Sequence, residues 1–492
     1  MSNYILAIDQ GTTSSRAIIF DENLKIVAVS QQEIPNDFPK PGWVQMDAHE
    51  IYTSVEFVCL NVVQKAGINV SDIKAIGITN QRETTIVWDK ATGLPVYSAL
   101  VWQSRQSAEL CEKVIRAGHS DKIRKKTGLP VDPYFSASKI RWILDNIENG
   151  QQRAENGELM FGTVDSWLVY KLTGHQRHVT DVTNASRTML LNIDTLYWVK
   201  ELLDIWNIPE SMLPLICDSS QVYGYSSLFG NQIPIAAIAG DQQSALFGQM
   251  CFDEGQCKNT YGTGCFLLFN TGNKRIESKN GLVTTVGWKI GEEVVYALEG
   301  SVFVAGAAIQ WLRDGLKLIS KASDSKEIAE SLEDSDGVYV VPAFTGLGAP
   351  YWDQHARGAI FGLTRGTTTA HLIRATLESL AYQTYDVIEA MENDTGMLIS
   401  TLQVDGGACK NDYLMQFQSD LLQTGILRPV NFETTALGAA MLAGLAVGIF
   451  NDKNDLRSLH EVERYFEPVQ SAKKVQDLIA GWKKAVRATM EF

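Results

Sequence analysis

Cysteine is sparse and unpatterned in this chain: Cys59, Cys111, Cys217, Cys251, Cys257, Cys265 and Cys409 are odd in number and scattered. No C-x-x-C spacing occurs, so neither a disulfide framework nor a zinc cluster is expected, and a reducing cytoplasm fits. Basic excess is also missing. The 43 Lys and Arg against 57 Asp and Glu leave a formal net charge of −14, which argues against nucleic acid or an anionic membrane as a partner. A nucleotide stays admissible, because a few local donors outweigh a diffuse field at contact distance. No apolar run reaches membrane length; the longest, Ala436 to Phe450, is rich in Ala and Gly and reads as a buried helix. No basic stretch followed by an apolar core opens the chain, so no signal peptide is expected.

Familiar phosphate and metal patterns are absent as well. The chain holds no G-x-x-x-x-G-K-[ST], and no G-x-G-x-x-G follows a strand. His49-Glu50 and His460-Glu461 each lack the second histidine of H-E-x-x-H, and the histidines do not cluster. A zinc hydrolase is therefore not expected.

The 492 residues are enough for at least two domains with large cores. Strands are predicted at 4–9, 16–20, 25–29, 73–79, 84–88 and 98–102, with helices near 48–65, 103–117 and 137–147. Ala236 to Asp241 reads as a buried strand ending in an acid, and Gln242 to Gly248 as the start of a helix. Past residue 250 the opening pattern returns. The strand Lys258–Tyr261 leads through Gly262-Thr263-Gly264 into apolar Cys265–Phe269, followed by a helix over Ala305–Leu318, a strand over Gly337–Pro342, a helix over Ala370–Glu392 and a strand over Leu402–Asp405. The halves share this architecture with little residue-level similarity. A boundary near residue 250 gives α/β domains at 1–250 and 251–492, each contributing a Gly/Thr hairpin.

The first hairpin carries unusual chemistry. Tyr4–Ile8 runs into Asp9-Gln10-Gly11-Thr12-Thr13-Ser14-Ser15-Arg16, and Ala17–Phe20 resumes the apolar run. Gly11 lets backbone approach a ligand closely. The hydroxyls and Arg16 suit phosphate oxygens, and the acid beside them suits Mg²⁺ held through water. Gly262-Thr263-Gly264 and Asp405-Gly406-Gly407-Ala408-Cys409-Lys410-Asn411 are further pieces of the same kind, the second flat enough for an adenosine beside helix N–H groups. Gly407 with Asn411, and Gly306 with Gln310, stand four apart on one predicted helical face. Each pair wraps a ring or is a packing glycine with a surface amide.

Arg82 and Glu83, after the strand Ile76–Thr79, offer donors and acceptors for a small polyol, with Trp102 and Tyr134 as flat walls. A loop salt bridge and core packing are the competing roles. Asp241, with Gln242 beside it, is a candidate base for a hydroxyl attacking a γ-phosphorus, or a helix N-cap.

At these residues the chain resembles the carbohydrate kinase family that shares the ATPase fold of actin, hexokinase and Hsp70, and within it the members that phosphorylate glycerol. The resemblance runs nearly end to end: Asp9 to Arg16, Asn80-Gln81-Arg82-Glu83-Thr84, Gly240-Asp241-Gln242-Gln243, Asn259 to Gly264 and Asp405-Gly406-Gly407, with Tyr134–Asn146 and Gly358–Glu378 like the family's longer signatures. It implies an α/β fold of two duplicated ribonuclease H-like domains around a central cleft. It implies ATP and Mg²⁺, a cytoplasmic location, and a dimer or tetramer of like chains. By the same resemblance Arg82, Glu83, Tyr134, Asp241 and Gln242 hydrogen-bond glycerol, Trp102 and Phe266 pack on its carbons, and Asp241 is the base. Thr12, Thr13, Ser14, Arg16, Thr263, Gly306, Gln310, Gly407 and Asn411 hold the nucleotide, with Asp9 near Mg²⁺.

A sister kinase acting on a pentulose or another small polyol, and an actin- or chaperone-like ATPase, are the rival expectations. Ketose kinases of the family tend to carry Gln-Met-His where Gln81-Arg82-Glu83 stands here. Some relatives are regulated through a phosphorylated His, or through an Arg-bearing loop that binds fructose 1,6-bisphosphate. Gly224–Asn231 has neither residue, so neither form of regulation is expected.

Overall fold

Both halves of the chain wind strands into the same order. The computed structural model describes residues 3–226, 228–230 and 233–492. Strands β1 (Tyr4–Gln10), β2 (Ser14–Asp21) and β3 (Ile26–Glu33) form an antiparallel meander. Helix α1 (Ala48–Ala66) crosses back so that β4 (Ile73–Asn80) lies parallel to β1. Its start is set by Asp47, whose side chain accepts from the His49 N–H, and its end by Gly67 at φ 63°. Ile51, Val55, Val58 and Val62, spaced three or four apart, bury its inner face. Strands β5 (Ser220–Ser226) and β6 (Ile233–Gly240) complete a six-stranded sheet, ordered β5-β6-β4-β1-β2-β3.

The second sheet uses β7 (Cys257–Tyr261), β8 (Cys265–Asn270), β9 (Val283–Ile290), β10 (Glu293–Val302), β11 (Thr401–Gly406), β12 (Gly425–Pro429) and β13 (Val462–Phe466). Its order is β9-β10-β8-β7-β11-β12-β13. The run β10-β8-β7-β11-β12 repeats β3-β2-β1-β4-β6 in order and in direction. The duplication expected from sequence is thus a duplication of sheet topology.

Helices α2 (Asp241–Gly248), α3 (Gly306–Gln310), α4 (Thr369–Thr395), α5 (Asp412–Leu422) and α6 (Thr434–Ala446) position the site. The halves meet where α2 and α6 cross. A Cβ on Gly438 would stand 1.9 Å from the Ser244 carbonyl oxygen, and one on Gly248 2.0 Å from that of Thr434. Only glycine permits so close a crossing. Helix α6 also lies on the first sheet, where a Cβ on Gly77 would meet the Ala439 oxygen at 2.3 Å. Around this crossing Ala7, Ala75, Leu246, Phe247, Leu268, Trp288 and Ala440 share one core drawn from both halves. A separate core around Phe135, Ile140, Leu144 and Trp206 supports Tyr134, whereas Trp102 packs on the first-half core of Ile8, Ile78 and Val101.

Several element ends differ from expectation. The helix expected from 103 begins at Ala108, because the Ser104 N–H turns back to Val101 and the Arg105 N–H bonds to Gly42. The helix over 305–318 is α-helical only to Gln310 and widens into a π turn over Trp311–Gly315. The strand over 98–102 shrinks to Ala99–Leu100, and that over 337–342 to Tyr339–Val341. The buried helix expected over 436–450 runs from Thr434 to Ala446; beyond it Gly448 turns at φ 75° and Phe450 is buried. Within Gly224–Asn231, the stretch read for regulation, Ser227 and Asn231 lie outside the described residues. No helix among the described residues is long and apolar enough to cross a membrane.

Candidate active site

The two Gly/Thr hairpins each close on a glycine N–H, the first turn being one residue longer than the second. The Gly11 N–H donates to the Ser14 oxygen at 2.9 Å, and the Gly262 N–H to the Gly264 oxygen at 2.9 Å. Asp9 and Arg16 face one another across the first ladder, at its mouth. One indole links the hairpins. Trp102 Nε1 donates to Thr12 Oγ1 at 2.8 Å, and the Trp102 ring meets Phe266 of β8 edge-on at 6.5 Å between centroids. Tyr134 closes the third side at 5.6 Å from Trp102. Trp102, Tyr134 and Phe266 therefore form one aromatic wall spanning both halves.

The polar floor beside that wall is a buried ion network. Arg82 and Glu83 are 3% and 1% exposed, and Glu83 sits at φ 59°. That backbone is unusual for Glu and belongs among strained positions that cluster at functional sites. Arg82 donates from Nη1 to Glu299 Oε2 at 2.5 Å and to Gln243 Oε1 at 3.2 Å, and from Nη2 to Glu299 Oε1 at 2.9 Å. Its Nε lies 3.1 Å from Asp241 Oδ1. Glu83 Oε1 accepts from Arg187 Nε at 2.5 Å, while Arg187 Nη2 reaches Glu299 Oε1 at 3.1 Å. The direct Arg82–Glu83 separation is 3.9 Å, so these neighbours are held mainly by other partners rather than by each other.

Burial works against the Glu299 charge, yet Arg187 and Arg82 outweigh it and hold its carboxyl at about 2. Glu83 goes the other way: burial pushes its carboxyl up despite Arg187 and Arg82. Burial also raises the Tyr134 hydroxyl, leaving it a neutral donor. Beneath it, Lys139 Nζ donates to the backbone oxygens of Tyr134 at 2.5 Å and Phe135 at 3.1 Å, and burial pulls that amine down to about 7.

Asp241 is the first residue of α2, and the capping position before it is Gly240. Its Oδ1 accepts from the Gln242 N–H at 2.7 Å and its side chain keeps 31% exposure, so it reaches the cleft. Gln242 is fixed from the second half: Lys258 Nζ donates to Gln242 Oε1 at 2.5 Å, to Thr260 Oγ1 at 2.8 Å and to the Phe266 oxygen at 3.1 Å. With Oε1 occupied, the Gln242 NH₂ is left as donor.

The side carrying Thr12, Thr13, Thr263 and Gly407, expected from sequence to take the nucleotide, is more open. Thr13, Gly262, Thr263, Gln310 and Gly407 are exposed, while Thr12, Ser14, Gly306 and Asn411 are partly so. Ser14 Oγ accepts from Gln31 Nε2 at 3.1 Å. Arg16 Nη1 donates to Glu433 Oε2 at 2.6 Å, and its Nε to Gln31 at 3.0 Å. A phosphate must compete with Glu433 for this guanidinium. The Gly306 N–H donates to the Gly262 oxygen at 3.1 Å, and a Cβ on Gly306 would stand 2.6 Å from that oxygen. Helix α3 thus seats directly on the second hairpin, with Gly306 and Gln310 at its two ends.

The other glycine–amide pair needs correction. Gly407 opens a short 3₁₀ turn, Gly407–Lys410, and Asn411 caps α5 with its Oδ1 on the Leu414 N–H at 3.1 Å. They do not share a helical face, because the chain changes helix between them. A Cβ on Gly407 would meet nothing within 4 Å, so this surface is flat and open, whereas Gly406, at φ 86°, packs against Tyr261.

Asp9 is pushed up to about 7, first by burial and next by the Asp241 carboxylate. Asp9, within β1 and influenced by the Asp241 carboxylate that follows β6 on the other side of β4, resists its charge, which suits a cation with oxygen ligands. Asp9 fits Mg²⁺ held largely through water and phosphate oxygens. When bound, such an ion neutralises phosphate charge. No cluster of three or more His, Cys, Asp or Glu forms an all-protein metal cage among the described residues.

Glu299, Arg187, Gln243 and Lys258 were not read as site residues from sequence. The signal for Glu299 was there: an acid directly after the apolar run Val294–Leu298 within a strand requires a buried partner.

Paired sheets of one topology, each carrying a Gly/Thr hairpin beside the other half, define the actin-like ATPase fold class. Residues 4–248 match the N-terminal domain of the FGGY family of carbohydrate kinases, and 257–447 match its C-terminal domain. The chain is 59% identical over 495 aligned residues to a glycerol kinase of Geobacillus sp. (strain WCH70), covering 100% of both chains. It is 57% identical to a glycerol kinase of Bacillus subtilis (strain 168), again covering 100% of each. Among solved structures, Plasmodium falciparum glycerol kinase with ADP superposes with a TM-score of 0.94 at 40% identity, covering 99% of this chain and 98% of that one. This chain belongs to the FGGY family of carbohydrate kinases.

Proposed function

We propose that this protein transfers the γ-phosphoryl group of MgATP to glycerol, giving sn-glycerol 3-phosphate and ADP. The observation that carries this reading is the small polar floor of Arg82, Glu83, Asp241 and Gln242 beside the wall of Trp102, Tyr134 and Phe266. Alternating hydroxyls match the donors and acceptors of the floor, and a three-carbon chain matches the wall. The names carried by the full-length relatives point the same way.

Arg82, Glu83, Tyr134 and Gln242 orient the alcohol, and Trp102 and Phe266 exclude water from its carbons. Asp241 accepts the hydroxyl proton as the oxygen bonds to the γ-phosphorus and the bond to ADP breaks. Thr12, Thr13, Ser14, Arg16 and Thr263 take the phosphates, while Gly306, Gln310, Gly407 and Asn411 take the adenosine. Asp9 would hold Mg²⁺ beside the phosphates, where the ion would neutralise their charge. The division falls near residue 250, and the protein works in the cytoplasm as a dimer or tetramer, the latter checked by light scattering.

Coupled ADP release across glycerol, dihydroxyacetone and pentuloses tests the reading. Glycerol is expected to exceed xylulose in kcat/KM by about 10²-fold or more, since a site built to pair hydroxyls rejects mismatched ones. Comparable values on xylulose would overturn the substrate. ATP turnover indifferent to glycerol would return the chain to the ATPase reading.

A further inference from the structure

Glu299 serves both arginines of the acceptor floor from the opposite half of the chain. It lies on β10 and is 2% exposed. Its Oε2 accepts from Arg82 Nη1 at 2.5 Å; its Oε1 accepts from Arg82 Nη2 at 2.9 Å and from Arg187 Nη2 at 3.1 Å. Such a two-point grip fixes the plane of a guanidinium as well as its distance. Gln243 reinforces it. Its Nε2 donates to Thr285 Oγ1 at 3.2 Å and to the Val286 oxygen at 3.3 Å, which leaves Oε1 for Arg82 Nη1.

The consequence for the floor is directional. Both hydrogens of Arg82 Nη1 end on protein acceptors, and Nε faces Asp241 at 3.1 Å. Nη2 keeps one N–H beyond its bond to Glu299. Arg187 extends the control: it holds Glu83 at 2.5 Å and stacks over Tyr134 at 5.5 Å and Phe135 at 5.2 Å. One carboxylate of the second half thereby orders Arg82, Glu83 and Tyr134 of the first. Stability alone is a poor reason for this arrangement, since buried ion clusters often do no better than apolar packing of equal volume.

We propose that Glu299 is a positioning residue for the acceptor alcohol: by gripping both Nη atoms it fixes the plane of Arg82 and aims the remaining Nη2 N–H at the substrate. The inference rests on the glycerol-kinase reading above. It makes acceptor recognition a joint property of both halves, complete only where β10 meets the end of β4.

Steady-state kinetics of the full-length protein with Glu299→Gln and Glu299→Asp tests this, with thermal unfolding run alongside. Glu299→Gln is expected to raise KM for glycerol about 10–100-fold and to lower kcat about tenfold, the scale of a lost charged hydrogen-bond pair. KM for MgATP is expected to stay within about threefold of wild type. Glu299→Asp keeps the charge and should recover part of the glycerol KM, leaving it about three- to tenfold raised. An unaltered glycerol KM in either variant overturns the proposal, as does a parallel rise in both KM values, which marks general loosening. If Glu299→Gln does not fold, Glu299→Asp decides by the same criteria. A wild-type protein whose ADP release ignores glycerol would instead defeat the functional reading.

Discussion

The proposed acceptor side and the proposed nucleotide side of this cleft are built on opposite plans. Arg82 and Glu83 are at most 3% exposed, and their charged groups end on Glu299, Gln243, Asp241 and Arg187. Thr13, Thr263 and Gly407 stand exposed, and a Cβ on Gly407 would touch nothing. One side is preorganised by internal pairing; the other is a surface shaped by glycine and left open. The difference teaches where selectivity resides. A small neutral alcohol supplies little binding energy, so its site must be ordered beforehand. A nucleotide brings charge and area enough to order its own contacts.

The sharpest test of the contrast is Asp241→Asn. It should lower kcat by roughly 10²–10⁴, the usual worth of a general base, while nucleotide binding measured by calorimetry is retained. Equal losses in both would merge the two sides.

Arg82→Met comes next. It strips the floor of a charge that Glu299 and Asp241 both use, and should cost about 3 kcal/mol of stability in urea unfolding. A loss below about 0.5 kcal/mol, the range of ordinary surface changes, would mean that the floor is not preorganised.

On the open side the sign reverses for Asp9. Its carboxyl titrates at about 7 in the folded protein against an ordinary 3.8. The folded state therefore binds more protons over that interval, and this group's contribution to stability falls as pH rises from about 4 to 7. Asp9→Asn should stabilise the nucleotide-free protein at pH 8 by about 2 kcal/mol, less at pH 5, and lower kcat/KM for MgATP. Equal stabilisation at both pH values would remove the titration from the account.

Two glycines give the remaining tests. Gly306→Ala forces a Cβ to 2.6 Å from the Gly262 oxygen, so it should lower stability by about 1–3 kcal/mol and raise KM for ATP. Gly407→Ala meets open space and should change stability by less than about 0.5 kcal/mol, affecting only the nucleotide KM. Matching stability losses would show that the adenosine surface is less open than its geometry.

Much of this was legible in the chain itself. The hairpins announce themselves because two strand-like runs joined through a short Gly/Thr turn have few other solutions, and Asp9, Asp241 and Gln242 stand at or just past strand ends that the same local pattern marks. Helix α6 was legible from its Ala- and Gly-rich apolar run, which suits only burial on all sides. Asn411 was misread because spacing alone does not reveal a change of helix. Glu299 and Arg187 were passed over because the groups they hold stand 217 and 104 positions away, and a buried charge in a strand or turn does not by itself name its partner.

Sequence determined the α/β alternation, the duplicated hairpin–helix–strand plan and the chemical character of each turn, all of which follow from local periodicity and backbone preference. Only the tertiary structure decided that Glu299 grips Arg82, that Lys258 sets the Gln242 amide, and that Arg16 is engaged by Glu433. Those pairings join residues 16 to 417 positions apart, and a buried charge takes whichever partner the packed halves bring within about 3 Å.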